Sequence, residues 1–465
     1  MESLKPSAYN YHVALPDGTK LWFNFFTLSL IAFDSMDASL VHDIIRKPNA
    51  SRRDSRRAVE IKKRLKDNGF LINRAVSEID YIKQGYFKQR DAQKKDLSLT
   101  ILPTLACNFR CIYCYEKHDA LSMTPEVEEA LIKMVDQNLS EKGSLFVTWF
   151  GGEPLLKLGT IGRLSSSFNE ICTKKSGKYS SQVVTNGFLF NRENAESLRK
   201  NSVNNVQITL DGPGHIHDQR RPGVNGEKTF DAIISNIRDS AGIVPVNLRI
   251  NVDQTNRKYI PELLELLSRE GLAENVHPYL GRTYPYTEVC RDIAGQCLSA
   301  EDFSLLELET SMELINKGFF TFKIPRAVNI HCMAEKANAF VVTPSGGIVN
   351  CWNDASNPDA EIGHLLKPST PQMEKNAQSW SQYNPFSSEC SGCLLLPVCM
   401  GGCPYMSRST GKPYCHEWKY HMDESLAMYY YLKTMEEQGR IIKEFQETVQ
   451  EVKKIKILIN EEVWR

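Results

Sequence analysis

The sequence predicts an α/β protein built on a parallel sheet, and three observations carry that prediction. Between residues 97 and 281 short apolar runs recur with helical patterns between them: LSLTILPT, SLFVTWF, SQVVTNG, NNVQITLDG, VPVNLRINVD and NVHPYLG. Strands separated by helix-length segments of this kind imply βαβ units. One intervening helix shows its start, with Thr124 as N-cap, Pro125 in the first helical position, and Val127, Leu131, Met134 and Val135 along one face. Six such units make either an open barrel or a doubly wound sheet, and periodicity does not separate the two. At 465 residues the chain is too long for one core, so two to four domains are expected.

Composition narrows the setting. Lys and Arg number 56 and Asp and Glu 56, a balance that gives no sign of a nucleic-acid-binding surface. The longest apolar segment, LWFNFFTLSLIAF over 21–33, contains Asn24 and falls short of the roughly 20 residues a spanning helix needs. No basic stretch precedes an apolar one at the N-terminus, so the expectation is a cytoplasmic protein without membrane contact. Thirteen cysteines are many for a reducing compartment, where thiols serve as metal ligands or catalytic groups rather than disulfides. Ten are clustered: Cys107, Cys111 and Cys114 early, then Cys332, Cys351, Cys390, Cys393, Cys399, Cys403 and Cys415. Cys172, Cys290 and Cys297 read as small buried apolar groups.

Outside the βα repeat the signals are weaker. Within 1–95, YHVALPDGTKLWFNF reads as a hairpin turning at Asp17-Gly18, followed by helices and a final NGFLIN suited to a short wing. The basic stretch from Ile44 to Lys66 reads as a solvated helix face. From 320 to 415 glycine, proline and cysteine dominate and helical periodicity is poor, as in a domain stapled by metal. The segment 421–465 is charged and amphipathic, as for a C-terminal helix packed against the body.

Three thiols on the loop after the first strand can hold a metal centre while leaving one coordination position open, and an iron-sulfur cluster with three protein ligands has that property. The spacing C-x3-C-x2-C, with Tyr113 before the last cysteine, resembles the radical S-adenosylmethionine (SAM) enzymes. WFGGEPLL after the second strand resembles that family's glycine-rich turn, TNG (185–187) follows the third strand, and ITLDGPGHIHDQRR (208–221) follows the fourth. The resemblance, over roughly 97–285, implies a partial (β/α)6 barrel. It also implies a [4Fe-4S] cluster on Cys107, Cys111 and Cys114, completed by SAM, whose one-electron cleavage yields a 5′-deoxyadenosyl radical. SAM contacts then fall to Tyr113, Gly151, Gly152, Glu153 and Asn186, with Thr209 on the ribose and Arg221 on the carboxylate. An electron donor such as flavodoxin or ferredoxin is implied as a partner.

The late cysteines resemble a SPASM domain, which follows the barrel in peptide-modifying enzymes and carries two further [4Fe-4S] clusters. By position, Cys390, Cys393, Cys399 and Cys415 would ligate one, and Cys332, Cys351 and Cys403 the other. Cys290, Cys297, His331 or a substrate thiolate would supply that second cluster's fourth ligand. The implied organisation is a winged-helix-like leader-peptide recognition domain (1–95), the barrel (96–300), the SPASM domain (301–420) and the C-terminal helix (421–465).

Two substrate classes remain open. Sulfatase maturases are similar to one another in an aspartate beside the cysteine that ends the G-x4-C motif, where this chain has Trp352, and they begin close to the barrel. Both features lean toward maturation of a ribosomally made precursor peptide with a leader, by a cross-link with thioether favoured. A zinc-binding transcription factor is the non-enzymatic alternative. No general base and no catalytic side chain is identified by the sequence.

Overall fold

The computed structural model describes residues 3–50, 55–91, 95–319, 325–387 and 389–437. The chain forms two compact units, one of residues 1–89, 322–331 and 384–465, the other of 90–321 and 332–383. The expected 301–420 segment is therefore divided between both.

The first unit begins with β1 (Leu4–Pro6), β2 (Asn10–Ala14), β3 (Lys20–Asn24) and β4 (Leu30–Phe33), then α1 (Ser35–Arg46), α2 (Arg56–Asp67), β5 (Leu71–Asn73) and α3 (Glu78–Arg90). The predicted hairpin is β2–β3, with Gly18 at φ +86° in its turn, and β4 completes an antiparallel three-stranded sheet. The NGFLIN segment holds β5, which pairs antiparallel with β1. The apolar run that opens at Leu21 is strand β3, covered on both faces. Leu21, Phe23 and Phe25 enter one core and Trp22 the other, as the two-residue period of a strand dictates. Asn24, fully buried, is satisfied by Ser7, Asn10 and the backbone N–H groups of Phe26 and Thr27. On α2 the apolar residues Ala58, Ile61 and Leu65 are buried, while Arg57 pairs with Asp37 and Arg64 lies over the Phe33 ring.

The second unit carries the parallel strands β6 (Leu97–Ile101), β7 (Ser144–Trp149), β8 (Lys178–Thr185), β9 (Val203–Leu210), β10 (Val246–Val252) and β11 (Val276–Arg282). They alternate with α4 (Pro125–Asn138), α5 (Leu158–Lys174), α6 (Arg192–Lys200), α7 (Gly214–Arg220), α8 (Phe230–Ser240) and α9 (Ile260–Arg269), and α10 (Ala300–Asn316) follows. All six expected strands are present and pair in sequential order. With no reversal of order there is no switch point, so the doubly wound alternative is excluded and the wall is that of an open barrel. Thr124 caps α4 by accepting from the Val127 N–H, and Val127, Leu131 and Val135 are buried with Met134 packed beside them. Cys172 and Cys290 are buried as expected, and Cys297 is half-buried.

Beyond the barrel the chain is more regular than glycine, proline and cysteine content suggests. β12 (Ala339–Val342) adds in parallel to β6, and β13 (Gly347–Val349) and β14 (Gly363–His364) extend the same sheet antiparallel, followed by α11 (Pro371–Ser381). These strands are two to four residues long, too short for their alternation to register in sequence. The chain then returns to the first unit through α12 (Leu396–Cys399), α13 (Pro404–Thr410) and α14 (Met422–Glu437). There Leu395, Leu396, Cys399, Trp418 and Leu426 share a core with Phe23, Phe25 and Tyr86. The remainder of the expected C-terminal helix, 438–465, lies outside the described residues. No helix among the described residues is long and apolar enough to cross a membrane.

Leu131 is fully buried between α4 and the sheet. Leu131→Ala should cost about 3 kcal/mol through the cavity it leaves, read as an earlier urea transition of the barrel unit.

Candidate functional site

The three-cysteine loop leaves β6 at its C-terminal end and is closed down along its length by backbone hydrogen bonds. Arg110 N–H donates to the Pro222 carbonyl (2.8 Å), Ile112 N–H to Arg220 (3.0 Å), and Val224 N–H to Asn108 (2.9 Å), so the loop is zipped to the segment that follows α7. Cys107, Cys111 and Cys114 are free thiols, partly buried. Burial pushes Cys107 and Cys114 up to about 12 and raises Cys111 as well, so they stay protonated until a metal displaces the proton. Among the described residues no three His, Cys, Asp or Glu side chains converge as a single metal ion requires. A four-iron cube is ligated at separate corners, so its thiolates surround a volume rather than a point.

A second turn, after β7, locks onto the first. Gly152 N–H donates to the Thr104 carbonyl (3.1 Å) and Glu153 N–H to Ala106 (2.9 Å). A Cβ on Gly152 would stand 2.4 Å from the Ala106 oxygen and 2.5 Å from that of Leu105. Gly151 has φ +115°. Glycine is therefore required at both positions by contact and conformation. The Glu153 side chain is inside the protein: Oε1 accepts from Leu155 N–H and Thr185 Oγ1, and Oε2 from Asn186 N–H. Burial raises its pKa against the pull of those donors. Its carboxylate thus ties the β7 turn to the end of β8, and backbone carbonyls are what this turn can offer an ammonium group. Asn186 accepts from Phe188 N–H and donates to Asn108 in the cysteine loop.

Tyr113 is the centre of the polar part of the site. Its hydroxyl donates to Asp211 Oδ1 (2.9 Å) and accepts from Arg221 Nη1 (2.6 Å) and Asn251 Nδ2 (3.1 Å). Asp211 also pairs with Arg220 Nε (2.9 Å), and Arg220 reaches Asp253 (2.8 Å) and Thr255 (2.8 Å) with its guanidinium 5.3 Å from the Tyr113 ring centroid. His217, held neutral by burial and by the neighbouring arginines, accepts the Asp211 N–H at Nδ1. Arg221 is buried, which alone would lower its pKa, yet Cys111, Tyr113 and Asp211 raise it well above the usual value. Its Nε, buried beside Cys111, has no hydrogen-bond partner among the described residues.

That orphaned Arg221 donor calls for an acceptor. A carboxylate held by Arg221 beside the cysteine loop would satisfy it, so the residues present fit SAM as a fourth ligand. Thr209 lies two residues before Asp211 on the same face of β9 and is buried. The structure brings together Tyr113, Gly151, Gly152, Glu153, Asn186, Thr209 and Arg221 with the three cysteines at one end of the barrel wall. Asp211, Arg220, Asp253 and Asn251 were not anticipated. Only Asn251 had a signal, the alternation VNLRINV, with polar residues at every second position of a strand expected to be apolar on both faces.

The late cysteines separate by unit. Cys332 and Cys351 belong to the barrel unit, where Cys351 follows β13 and stands near Tyr115. Cys390, Cys393, Cys399, Cys403 and Cys415 belong to the other. Cys399, pushed up to about 11 by burial, lies within electrostatic reach of Cys390 and Cys393, and Lys419 donates to Cys415 (3.5 Å) while also facing Cys393. His331 sits beside His416 and the Cys399 backbone, in that same group rather than in the unit of Cys332 and Cys351.

Gly152→Ala should break the clasp between the two turns. The expected outcome is faster amide hydrogen exchange at positions 152 and 153 and a stability loss of about 2 kcal/mol or more.

The sequence pattern of the Radical SAM superfamily matches residues 101–281. Fe-coproporphyrin III synthase of Methanosarcina barkeri is 27% identical over 218 residues, 46% of this chain and 49% of that protein. The sporulation killing factor maturation protein SkfB of Bacillus subtilis is 27% identical over 179 residues, 38% and 40% of the two chains. The chain spans about half the length or less of these relatives. Among solved structures, anSMEcpe with bound AdoMet and Kp18Cys peptide superposes with a TM-score of 0.55 at 19% identity, covering 71% of this chain and 98% of that one. Streptococcus suis SuiB bound to its precursor peptide SuiA gives 0.51 at 13% identity, covering 89% and 99%. At such identities the likeness is one of fold. With the cysteine loop, the glycine clasp and the Arg221 donor assembled on a sequential parallel wall, residues 101–281 constitute a radical SAM domain.

Proposed function

We propose that this chain is a radical SAM peptide maturase that abstracts a hydrogen from a ribosomally made precursor peptide and closes an intramolecular cross-link, with a thioether as the bond. The observation that carries the reading is the clasp at the barrel mouth, where a three-cysteine loop, a carbonyl-bearing glycine turn and an unpartnered buried arginine donor converge. When bound, the cluster and SAM supply one-electron cleavage of a sulfonium and, from it, hydrogen abstraction. The chain's own groups hold and orient. Cys107, Cys111 and Cys114 ligate the cluster, the carbonyls of the Gly151–Glu153 turn take the SAM ammonium, Arg221 takes its carboxylate, and Thr209 faces the ribose. Tyr113 keeps the loop at a fixed height above β9 and β10 through Asp211 and Asn251.

Peptide substrates are favoured over other radical SAM chemistries by two further features. SkfB is a maturation protein by name, and SuiB, bound to a precursor peptide, covers most of this chain. The three-stranded sheet β2–β3–β4 with its flanking helices suits leader capture by strand addition at an edge. Cys390, Cys393, Cys399 and Cys415 are assigned to one auxiliary [4Fe-4S] cluster and Cys332, Cys351 and Cys403 to another, giving three in all. Clusters held there would supply an acceptor for the electron left over when a substrate radical closes into a bond. Sulfatase maturation is the second reading, disfavoured because Trp352 replaces the aspartate expected there. The radical SAM domain sets the transcription-factor reading aside. Three thiolate-bound, oxygen-sensitive clusters favour a reducing, cytoplasmic setting supplied by flavodoxin or ferredoxin.

Replacing Cys107, Cys111 or Cys114 by alanine should abolish SAM cleavage, measured as 5′-deoxyadenosine under anaerobic reduction. Removing residues 1–95 should spare peptide-independent SAM cleavage and lose modification of the precursor peptide; loss of both would refute the leader-recognition role. Tandem mass spectrometry of the small peptide encoded beside this chain, after incubation with reconstituted enzyme, SAM and reductant, should show loss of two hydrogens. Fragmentation should be suppressed between the linked residues. An unchanged peptide, with a sulfatase-derived peptide gaining an aldehyde, would transfer the assignment to formylglycine formation.

A further inference from the structure

The inner face of the barrel wall is polar, and one side chain on it stands out by charge. On β10, Val246, Leu248, Ile250 and Val252 pack outward into the core, while Asn247, Arg249 and Asn251 face the lumen. Neighbouring inner positions pair as neutral groups: Asn247 with Asn205 (2.8 Å), Tyr279 with Gln207 (2.7 Å), and Gln182 with Thr148 (3.0 Å). Arg249 is opposite Thr209 on β9 and Tyr279 on β11. Its guanidinium folds over Gly281, where a Cβ would lie 2.5 Å from its Cζ and Nε, so the chain keeps that position without a side chain. Nε donates to Asn251 Oδ1 (2.7 Å), and Asn251 in turn donates to the Tyr113 hydroxyl (3.1 Å). The bond to Asn251 is its one hydrogen bond, and no carboxylate pairs with Arg249, among the described residues.

A half-buried guanidinium without a counter-charge is costly, and one laid over Gly281 with Nε fixed on Asn251 suits a planar bidentate acceptor. The other arginines at this end of the wall have partners of their own: Arg220 holds Asp211 and Asp253, Arg221 holds Tyr113 with its orphaned Nε toward SAM, and Arg282 lies over the Tyr284 ring. We infer that Arg249 is an anchor for a carboxylate of the substrate peptide, an acidic side chain or the C-terminus, that enters the lumen beside the reacting centre. This assignment rests on the maturase reading. It makes Arg249 a specificity-determining residue, since an amide in place of the carboxylate leaves the cation unpaired. Asn251 couples the anchor to Tyr113, so an occupied lumen bears directly on the loop that carries the cluster.

Phenylglyoxal footprinting of the reconstituted, SAM-loaded enzyme, with mass mapping at Arg249, separates the possible owners of this cation. The probes are the α-amide of N-acetylglutamate, which keeps its side-chain carboxylate, and the α-amide of N-acetylglutamine, which has none, at matched ionic strength. Arg249 should be modified when SAM is bound, and the acid probe should slow that modification while the amide does not. Protection by SAM alone would assign the cation to the SAM carboxylate and overturn the inference. Equal behaviour of the two probes, or an Arg249 that never reacts, would also overturn it. With the precursor peptide encoded beside this chain, Arg249→Gln should raise KM about tenfold or more with a smaller change in kcat, and Arg249→Lys should recover part of the loss. If the wild-type enzyme leaves that peptide unmodified, the maturase reading fails, and the footprint still decides whether the lumen selects a carboxylate.

Discussion

Asp211, at the end of β9 and without solvent exposure, forms the ion pair with Arg220 on which the site depends. A buried charge pair is retained only with strict geometry, because removing either partner leaves the other stranded. Here the pair is shared widely. Asp211 also receives the Tyr113 hydroxyl, Arg220 also binds Asp253, and the Arg220 carbonyl takes the Ile112 N–H from the cysteine loop. The height and tilt of that loop above the sheet therefore follow from electrostatics at the ends of β9 and β10.

The second constraint is close approach of backbone to backbone. The cysteine loop and the glycine turn are held together by two N–H to carbonyl bonds and by the absence of side chains at Gly151 and Gly152. Glu153 then spends its carboxylate inward, on the end of β8, and so makes the turn rigid. The turn's carbonyls and the scaffold that holds them come from one three-residue stretch, Gly151–Glu153.

The other unit obeys a different logic. A strand buried on both faces, β3, divides two apolar cores, and one of them includes Cys399 with Cys390 and Cys393 against it. Thiols at such positions are shielded before any metal binds, and the thiolate form then depends on the metal. The cysteine-rich return of the chain and the N-terminal sheet thus form a common core, so removing residues 1–95 would also uncover apolar residues of the 384–437 segment. That expected exposure is a reason to read the deletion through SAM cleavage, whose ligands lie in the barrel unit.

The sequence by itself determined the six parallel strands, the α4 cap and the constellation of three cysteines, two glycines and Arg221. Each of these is a local pattern whose period or spacing survives without knowledge of the fold. Tertiary structure alone decided four things. It set the strand order, which excludes a doubly wound sheet. It joined β12 to β6, and it gathered Asp211, Arg220, Asp253 and Asn251 around Tyr113. It also left Arg249 as a cation facing the lumen. Those outcomes depend on contacts between residues tens to hundreds of positions apart, where a polar side chain on an alternating strand can face either solvent or a site. Only the curved wall, with its inner and outer faces, states which.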